Sequence, residues 1–560
     1  MAAILPDADL ATVLVRPCAD PKFGDYQTTA LMALAKARRI NPRQLAVDVL
    51  AKLDVNEWCE RADIAGAGFI NFRLKKEALE SALLAAARGE HLFLEPAASL
   101  RTIVIDFSSP NVAKPMHVGH IRSTILGDCL ARVFWLLGHK VVTDNHIGDW
   151  GTQFGKLLVG WKGQLDRAAL QGDPIGEMER LYKTVNAACE SDPTVLETAR
   201  QELVKLQNGD EENLAIWREM IGLSQKQFDT IYARLGVRFD HALGESFYNA
   251  RLKAVAEALE ARGLVRESEG AKVAFFEDVP ELKDHPAIVQ KSDGAANYTT
   301  TDLATLAYRL ETWHPDEIVY VTDGRQQLHF KQIFAIFRRW HPETKVRLEH
   351  VWFGAILGED GKPFKTRSGD IIKLADLLDE AEERAFLVVS EKNPDLDEGQ
   401  RREIARIVGL GAVKYSDLLP NRQSDYIFSW DKMLALNGNT APYLLYAYTR
   451  IQSIFRKGEI LHSASGSQHP ELGATEEFDL AKHLLNFGLV LEAVAEECRP
   501  NYLCNYLFEL AGCFTSFYEN CPVLKAEGAE RDSRLLLCEL TARVLKQGLE
   551  VLGMETTERM

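Results

Sequence analysis

The spacing of hydrophobic residues changes twice along the chain and predicts three regions. Over residues 1–95, short helical patterns and one strand pattern predict a small mixed α+β domain. Over residues 96–397, apolar runs alternate with helical patterns, which is typical of a parallel sheet covered on both faces. Over residues 398–560, strand patterns are absent and apolar residues recur every three or four positions, which predicts an all-α helical bundle. The predicted fold class is therefore α/β, flanked by two further domains.

The same patterns predict individual elements. In the first region they predict a strand over 68–74 and helices over 28–36, 42–53 and 76–88. In the second region, insertions spanning about 161–291 are predicted from a polar helical stretch at 161–235 and a strand-rich stretch at 263–291. In the third region, a loop rich in Ser, Gly and Pro is predicted at 463–477, and helices are predicted over 401–418, 431–457, 477–497, 500–520 and 532–552.

The first strand of the sheet domain leads into a loop with two histidines. Residues 102–128 read TIVIDF, then SSPNVAKPMHVGH, then IRSTILGD, which predicts a buried strand, a polar loop and the start of a helix. A helix N-terminus presents unpaired N–H groups that favour phosphate, and His117 and His120 add directional donors there. Gly119 has no β-carbon, so a flat ring such as adenine can approach the backbone closely. The loop is therefore interpreted as a site for a nucleotide triphosphate.

Two histidines in a loop can also be ordinary polar residues, but the context favours the nucleotide interpretation. The segment KVVTDN at 140–145 predicts a second strand, so 102–145 has the length and order of one strand–helix–strand unit. In such sheets ligands bind beyond the carboxyl ends of the strands, where this loop lies.

Composition and charge limit the class of protein. A chain of 560 residues, 46% of them hydrophobic and 26% charged, is expected to form several globular domains. It contains no run of 18 apolar residues and no secretory signal pattern at its start, which predicts a cytoplasmic protein without a membrane partner. The net charge of −16 argues against indiscriminate coating of nucleic acid but leaves room for local basic faces.

The nine cysteines are scattered along the chain and include no C-x-x-C pair and no Cys/His cluster at zinc spacing. Reduced, mostly buried thiols are therefore predicted rather than disulfides, and no metal bound by the protein is expected.

The histidine loop and several other stretches together resemble a known family. SSPNVAKPMHVGHIRSTILGD is similar to the first signature of class I aminoacyl-tRNA synthetases, and of arginyl-tRNA synthetases in particular. Six further stretches agree with that family: FGDYQTTALMALAK, GAGFINF, DNHIGDWGTQFG, YVTDGRQQLHF, GEDGKPFKTRSGD and NGNTAPYLLYAYTRIQSI. The resemblance implies a Rossmann-like catalytic domain, an additional N-terminal domain that contacts tRNA, and a helical anticodon-binding domain.

Joining a carboxylate to the α-phosphate of ATP needs donors that align two anions rather than a side-chain nucleophile. The resemblance implies catalytic roles for His117, His120, Lys114 and Lys365. It implies ATP contacts at His117, Gly119, His120, Lys362, Lys365 and Ser368, with Mg²⁺ held by the triphosphate. The segment KPFKTRSG at 362–369 departs from the family's usual K-M-S-K-S, and a basic surface turn is the alternative interpretation.

Recognition of a guanidinium group calls for carboxylate and carbonyl acceptors. Tyr298 and Asp302 are four residues apart in a helical pattern, so both can face one pocket, and Asp302 is the candidate for bidentate pairing. Asp106, at the end of the first strand, could hold the substrate ammonium group or add acceptor capacity. The resemblance implies arginine contacts at Ser109, Asn111, His117, Tyr298, Asp302 and Gln326. The alternative is that Asp302 is a solvated carboxylate on a helix face.

The helical region offers aromatic rings and amides for unstacked bases at Asn437, Asn439, Tyr443 and Tyr446. The alternative is that the aromatic residues form part of the core. The resemblance adds the C-terminal Met560 to the tRNA-binding surface, although the ending TERM departs from the family's P-E-R-M.

The predicted function is ATP-dependent ligation of L-arginine to tRNA(Arg) through an arginyl-adenylate, with tRNA needed for the activation step, by a monomer. Two alternatives remain open. One is a small-molecule nucleotidyltransferase that shares the H-x-G-H loop, and the other is a catalytically silent tRNA-binding protein.

Overall fold

A computed structural model describes residues 4–5, 7, 13–18, 20–89, 91–364, 372–460 and 470–560. The strands are β1 Arg16–Pro17, β2 Tyr26–Thr28, β3 Cys59–Ala65, β4 Phe69–Leu74, β5 Thr102–Asp106, β6 Lys140–Asp144, β7 Arg266–Ser268, β8 Ala271–Ala274, β9 Ala287–Gln290, β10 Glu317–Tyr320, β11 Arg347–His350, β12 Ile356–Leu357 and β13 Tyr426–Ile427. The α-helices are α1 Ala30–Arg38, α2 Pro42–Leu50, α3 Lys76–Ala87, α4 Val118–Leu136, α5 Gln153–Gln164, α6 Arg167–Gly172, α7 Pro174–Ser191, α8 Pro193–Gln207, α9 Glu211–Leu235, α10 Asn249–Ala261, α11 Tyr298–Trp313, α12 Gln327–Trp340, α13 Leu374–Lys392, α14 Glu398–Leu418, α15 Trp430–Met433, α16 Ala441–Gly458, α17 Thr475–Leu485, α18 Phe487–Glu497, α19 Asn501–Asn520 and α20 Gly528–Val551.

A four-stranded parallel sheet forms the centre of the molecule, with the strand order β11-β10-β5-β6. The last residue of β5, Asp106, is level with Tyr320 on β10 and with Asp144 on β6. The carboxyl ends of these strands therefore meet at one edge of the sheet, from which the histidine loop leaves toward α4. This arrangement confirms the predicted α/β class.

The N-terminal region is a separate antiparallel sheet, ordered β1-β2-β4-β3, packed against α1 and α2. Its small core contains Leu31, Leu45 and Ile70. The predicted strand at 68–74 corresponds to β4. Strand β3, with the sequence CERADIA, was not predicted, because six of its seven residues are exposed or half-buried and give no alternating apolar pattern.

The polar helical stretch predicted at 161–235 contains the end of α5 and helices α6 to α9, and the strand-rich stretch predicted at 263–291 contains a small sheet. Helices α5 to α9 follow β6, and the antiparallel sheet β7-β8-β9 precedes α11. The last inserted helix, α9, packs close to the histidine loop through Ser224 and Tyr232. The insertion therefore contributes directly to the surroundings of the site.

The C-terminal region is helical, as expected, with two differences from the predicted pattern. A two-residue strand, β13, pairs in parallel with β12, although no strand was expected beyond residue 398. Two residues are too few to show a periodicity. The single helix expected over 431–457 is divided into α15 and α16, because Thr440 caps a new helix that has Pro442 in its first turn.

The predicted helix over 477–497 is also divided, into α17 and α18 at Asn486. Residues 461–469 of the loop expected at 463–477 lie outside the described part of the chain. All nine cysteines are unpaired in the structure, and six of them are buried, which confirms the prediction that most of these side chains are buried. Among the described residues, no helix is long and apolar enough to cross a membrane.

Candidate active site

The loop between β5 and α4 is held in an uncommon backbone conformation. Ser108, Ser109 and Ala113 have φ angles of 74°, 49° and 60°, in the left-handed region that most side chains avoid. The backbone N–H of Ser108 donates to Ser123 Oγ at 2.8 Å, that of Ser109 to Asn145 Oδ1 at 3.0 Å, and that of Ala113 to Ser224 Oγ at 3.0 Å. These bonds hold the strained turn in place, as is common at functional sites.

The two histidines of the loop form a reciprocal cap at the start of α4. His117 Nδ1 accepts the Gly119 N–H at 3.0 Å, and His120 Nδ1 accepts the His117 N–H at 3.1 Å. The ring centroids are 4.0 Å apart. Because both Nδ1 atoms are acceptors, a neutral ring carries its proton on Nε2. The pair therefore offers two Nε2 donors beyond the helix N-terminus.

Burial keeps both rings neutral. It lowers the pKa of His120 to about 3, with the neighbouring His117 adding to the shift. Burial also lowers the pKa of His117, and the positive charge of Lys114 lowers it further. The site thus presents fixed hydrogen-bond donors whose charge does not change near neutral pH.

Gly119 is required by the histidine pair itself. A β-carbon at this position would lie 2.8 Å from His117 Cε1 and 2.9 Å from its Nδ1. A side chain would therefore displace the ring that caps the helix. Close approach of a nucleotide base, the role expected from the sequence, is therefore not the only reason for a glycine at this position.

A cavity of about 530 Å³ opens beside the histidine pair, within the size range of small-ligand sites. Its apolar wall includes Phe353, Ile356 and Phe364, and the Phe364 ring stacks on Phe428 at 4.4 Å. Its polar lining includes Asp323, Gln423 and Asp425, and His117 and Gly119 of the histidine loop also line it. The shape and lining suit a purine nucleoside with its phosphates at the N-terminus of α4.

The predicted second signature is only partly described. Lys362 is exposed in a tight turn, where its backbone N–H donates to Asp360 Oδ1 at 3.1 Å. Pro363 and Phe364 line the nucleotide-sized cavity. Lys365 and Ser368 lie outside the described residues, so their predicted roles stay predictions.

Lys114 is exposed and stands over an aromatic ring of the insertion. Its Nζ is 5.4 Å from the ring centroid of Tyr182 on α7, within the range of a cation–π contact. Lys156 Nζ is 5.9 Å from the same centroid and donates to Asn186 Oδ1 at 2.6 Å. Tyr182 was not predicted, because the helical pattern of the insertion gives no sign of which residue faces the loop.

Arg122 also lines the nucleotide-sized cavity and was not predicted. Its Nη1 donates to the carbonyl oxygens of Gly354 at 2.7 Å and Ser424 at 3.2 Å. Its Nε is 3.1 Å from the Asp417 carboxylate of α14, and both side chains are buried. This ion pair joins α4, the helix that follows the histidine loop, to the first helix of the C-terminal region.

The residues expected to read arginine lie on α11. One carboxylate oxygen of Asp302 is 2.6 Å from Nε2 of His329, and the Tyr298 ring contacts the same imidazole edge-on at 4.7 Å. The Tyr298 side chain is 61% exposed. His329 was missed, although it comes three residues after Gln326 in a matching motif, which is helical spacing.

Asp106 is engaged inside the protein. Its Oδ2 accepts from Arg309 Nη2 at 2.6 Å, and its Oδ1 accepts from Ser109 Oγ at 3.2 Å. Arg309 Nη2 also donates to Asp144 Oδ2 at 2.7 Å, and all three charged side chains are buried. One guanidinium is therefore shared by two carboxylates at the ends of neighbouring strands. The predicted contact between Asp106 and a substrate ammonium group stays a prediction.

The remaining predicted arginine contacts lie on two loops. Asn111 is exposed and its backbone pairs with Gly148, while Gln326 is exposed in a short 3₁₀ turn before α12. A β-carbon on Gly148 would lie 2.3 Å from Asn111 Oδ1, so this glycine makes room for the amide.

A second, larger cavity of about 890 Å³ lies in the helical region. Tyr446 and Tyr518 are 43% and 40% exposed on its wall, and the Arg450 guanidinium lies 4.9 Å and 5.5 Å from their ring centroids. Met560 also lines it, and its other basic lining residues are Arg456, Lys457, Lys525 and Arg559. Exposed rings beside several cations form the kind of surface that binds single-stranded nucleic acid.

The other predicted tRNA contacts lie elsewhere in the helical region. Asn437 is exposed, whereas Asn439 accepts from the Tyr415 hydroxyl and donates to Asn505 Oδ1 at 3.2 Å. The Tyr443 ring packs on Phe508 at 5.5 Å. Asn439 and Tyr443 thus have packing partners within the protein, whatever their role with RNA.

Comparison with family models covers most of the chain. Residues 1–74 match the arginyl tRNA synthetase N terminal domain, residues 83–430 match the catalytic domain of tRNA synthetases class I (R), and residues 444–560 match the DALR anticodon binding domain. These matches do not fix where one domain ends, so the predicted limits stay predictions.

Similar proteins agree with the family matches. An arginine–tRNA ligase of Chromobacterium violaceum is 46% identical, over 100% of this chain and 97% of its own. An arginine–tRNA ligase of Shigella sonnei is 47% identical, over 98% and 95%. Among solved structures, the arginyl-tRNA synthetase of Plasmodium falciparum superposes with a TM-score of 0.83 at 30% identity, covering 100% of this chain and 97% of its own.

The arginyl-tRNA synthetase of Thermus thermophilus superposes with a TM-score of 0.84 at 26% identity, covering 100% of this chain and 98% of its own. The catalytic-domain match alone spans more than half of the sequence, and the similarity to relatives extends over its whole length. The chain belongs to the arginyl-tRNA synthetase family of class I aminoacyl-tRNA synthetases.

Proposed function

We propose that this chain joins L-arginine to tRNA(Arg) in two steps. In the first, a carboxylate oxygen of arginine attacks the α-phosphorus of ATP, and pyrophosphate leaves. In the second, the 2′- or 3′-hydroxyl of the terminal adenosine of tRNA attacks the carbonyl carbon of the arginyl-adenylate, and AMP leaves. The family matches to a catalytic and an anticodon-binding domain support both steps.

The observation that carries the first step is the neutral histidine pair beside the nucleotide-sized cavity. Both Nδ1 atoms are occupied by backbone N–H groups. Within the described residues neither Nε2 has a hydrogen-bond partner, so both can donate to the phosphates at the helix N-terminus. Such fixed donors stabilise the charge that develops on the phosphoryl oxygens without reorganising. Lys114 adds a positive charge on the same loop, and Lys362, Lys365 and Ser368 are proposed to contact the phosphates from the other side.

Magnesium is proposed to arrive with ATP, bound to the phosphate oxygens. The described residues bring together no group of three or more His, Cys, Asp or Glu side chains that could hold a metal. The proposal therefore assigns no chain residue as a metal ligand. The absence of protein-bound zinc stays a prediction.

Asp302 and Tyr298 are proposed to read the arginine side chain, with Asp106, Ser109, Asn111, His117 and Gln326 around its backbone end. An uncharged analogue would leave the Asp302 charge with the His329 hydrogen bond but no cationic partner, which costs a few kcal/mol and gives selectivity without editing. Lysine cannot reproduce two parallel hydrogen bonds.

The cavity lined by Tyr446 and Met560 is proposed to take unstacked bases of the tRNA, with Asn437, Asn439 and Tyr443 as further contacts. Its basic lining offsets the overall charge of −16 where the phosphate backbone would pass. We also retain the predictions of a monomer in the cytoplasm and of a tRNA requirement for activation.

The decisive experiment is arginine-dependent exchange between ATP and pyrophosphate, with and without tRNA(Arg), followed by aminoacylation. Arginine-dependent exchange together with arginylated tRNA is expected. Exchange at the same rate without tRNA would remove the tRNA requirement but keep the function. Adenylation of another small acid without RNA would favour a nucleotidyltransferase, and RNA binding without exchange would favour a silent binding protein. No observation favours either alternative.

A further inference from the structure

The imidazole of His329 touches both residues proposed to read the guanidinium. Its Nε2 lies 2.6 Å from Asp302 Oδ2, and its ring meets the Tyr298 ring at 4.7 Å and 61°. The His329 and Asp302 side chains are only 16% and 22% exposed. One residue of α12 therefore sets the position of two residues of α11.

The short contact fixes the direction of the hydrogen bond. A carboxylate only accepts, so Nε2 of His329 must carry the proton and donate. A neutral imidazole in this role holds Asp302 in place and leaves the Asp302 charge available for a ligand. Each carboxylate oxygen has two acceptor sites, so the bond to His329 leaves room for both N–H groups of a guanidinium fork.

A protonated imidazole would act differently. It would form an ion pair with Asp302 and place a positive charge beside the guanidinium that must bind there. Binding of arginine would then require that the proton leave, and the two processes would be thermodynamically linked.

The other groups around this pair come from several elements. On α11 they are Tyr298 and Asp302. On β11, the His350 imidazole is influenced by His329, but burial holds its pKa near 4, so it stays neutral. Glu245, in a 3₁₀ turn, is influenced by Asp302, and burial raises its pKa to about 7. Lys331 on α12 is paired with Glu281 at 2.5 Å. Glu245 is thus the second group that could make arginine binding depend on pH.

We propose that His329 is a positioning residue for guanidinium recognition, and that a proton on its ring competes with the arginine side chain for Asp302. This inference rests on the proposed function. It assigns no bond-making step to His329, which acts through its contacts with Asp302 and Tyr298.

The test is calorimetric titration of the full-length protein with L-arginine between pH 6 and 8, in two buffers that differ in ionisation enthalpy. The wild-type Kd is expected to rise as pH falls, toward a limit of about tenfold per pH unit, with release of a proton on binding. His329→Gln keeps an N–H donor but cannot gain a proton. It is expected to bind near the wild-type affinity at pH 8 and to lose the pH dependence.

Three further variants separate positioning from packing and from other titrating groups. His329→Phe keeps a ring against Tyr298 but removes the hydrogen-bond donor to Asp302. Its Kd for L-arginine should be about tenfold higher than the wild-type value at pH 8 and should not change with pH. Glu245→Gln should keep the wild-type pH profile. His285→Gln, a change at an exposed histidine, is the matched control and should have no effect.

A pH profile that persists in His329→Gln and disappears in Glu245→Gln would overturn the inference, because Glu245 would then be the titrating group. A flat wild-type profile would overturn it as well, while leaving the proposed function intact. Failure of the wild-type protein to bind L-arginine at any pH, with or without tRNA, would instead refute the proposed function itself.

Discussion

The proposed phosphate site and the proposed arginine site are held together in different ways. In the histidine loop, both imidazoles accept backbone N–H groups. At the arginine site, Asp302 is held by the imidazole of His329, and Tyr298 is 61% exposed. The nucleotide side is thus built largely from backbone groups of a helix N-terminus, whose positions are fixed once the helix forms. The arginine side is built from side chains of two helices. Asp302 is held there by His329, whereas the exposed Tyr298 ring retains rotamer freedom until a ligand binds. The contrast indicates a rigid phosphate site next to an amino-acid site that is completed by its ligand.

The largest effect on activity is expected from His120→Ala, which alters the proposed phosphate site. The change removes one Nε2 donor and the acceptor of the His117 N–H. Loss of a fixed donor to a developing oxyanion lowers kcat by about 10²–10³-fold. Exchange between ATP and pyrophosphate should show this loss, while the Kd for L-arginine, measured by calorimetry, should change little. An unchanged kcat would contradict the assignment of the histidine pair.

Asp302→Asn alters the arginine site and should weaken arginine binding, in contrast to His120→Ala, which lowers kcat. Removing the charge that faces the guanidinium is worth at least 2–3 kcal/mol, which corresponds to an increase of about 10²-fold in the Kd for L-arginine. ATP binding should be unaffected. Asp284→Asn, at an exposed position, serves as the control. If Asp302→Asn binds arginine with the wild-type Kd, the guanidinium group does not bind at Asp302.

Gly119→Ala tests how rigid the phosphate side is. The added β-carbon would lie 2.8 Å from His117 Cε1, so either the ring or the helix start must shift. A displacement of this kind in a catalytic group is expected to lower kcat/KM for ATP by about tenfold or more. Gly163→Ala on α5 is the matched control, because no atom lies within 4 Å of its β-carbon position. Equal activities of the two variants would show that the turn adapts.

More residues of the proposed phosphate site than of the proposed arginine site could be predicted from the sequence. His117, Gly119 and His120 are adjacent in the chain, and a strand followed by a helix gives their geometry directly. His329 and Arg309 come from other elements, and only the packing of α11, α12 and β5 brings them to Asp302 and Asp106. Such contacts have no local signal.

The same distinction applies to the fold. The long, strongly periodic segments gave the parallel sheet and the bundle helices, because their apolar faces must be buried. Strand β3 and the two-residue strand β13 were missed, since partly exposed or very short strands carry no alternation. The break between α15 and α16 depends on the cap at Thr440, which the apolar pattern masks.

Because the His120 ring is neutral in the folded protein, the free energy of unfolding is expected to depend on pH. The pKa of His120 is about 3 in the folded protein and about 6.5 when unfolded. Between these values the unfolded chain binds the extra proton, so this residue lowers stability as pH falls, by up to about 1.4 kcal/mol per pH unit. Urea unfolding midpoints of the wild type should therefore decrease more steeply from pH 6.5 to 5 than those of His120→Asn. Parallel curves would mean that His120 is not buried as a neutral ring.

The smallest effect is expected at Tyr182, which tests whether the insertion contributes to the rigid side. The Lys114 Nζ lies 5.4 Å from the Tyr182 ring centroid, and an exposed cation–π contact is worth about 0.5–1 kcal/mol. Tyr182→Leu should therefore lower kcat/KM for ATP about two- to fivefold, because Lys114 is no longer held beside the loop. Tyr182→Phe keeps the ring and should retain activity close to that of the wild type. If Phe and Leu reduce activity equally, the hydroxyl or the packing of α7 matters instead, and Lys114 reaches the phosphates without help from the insertion.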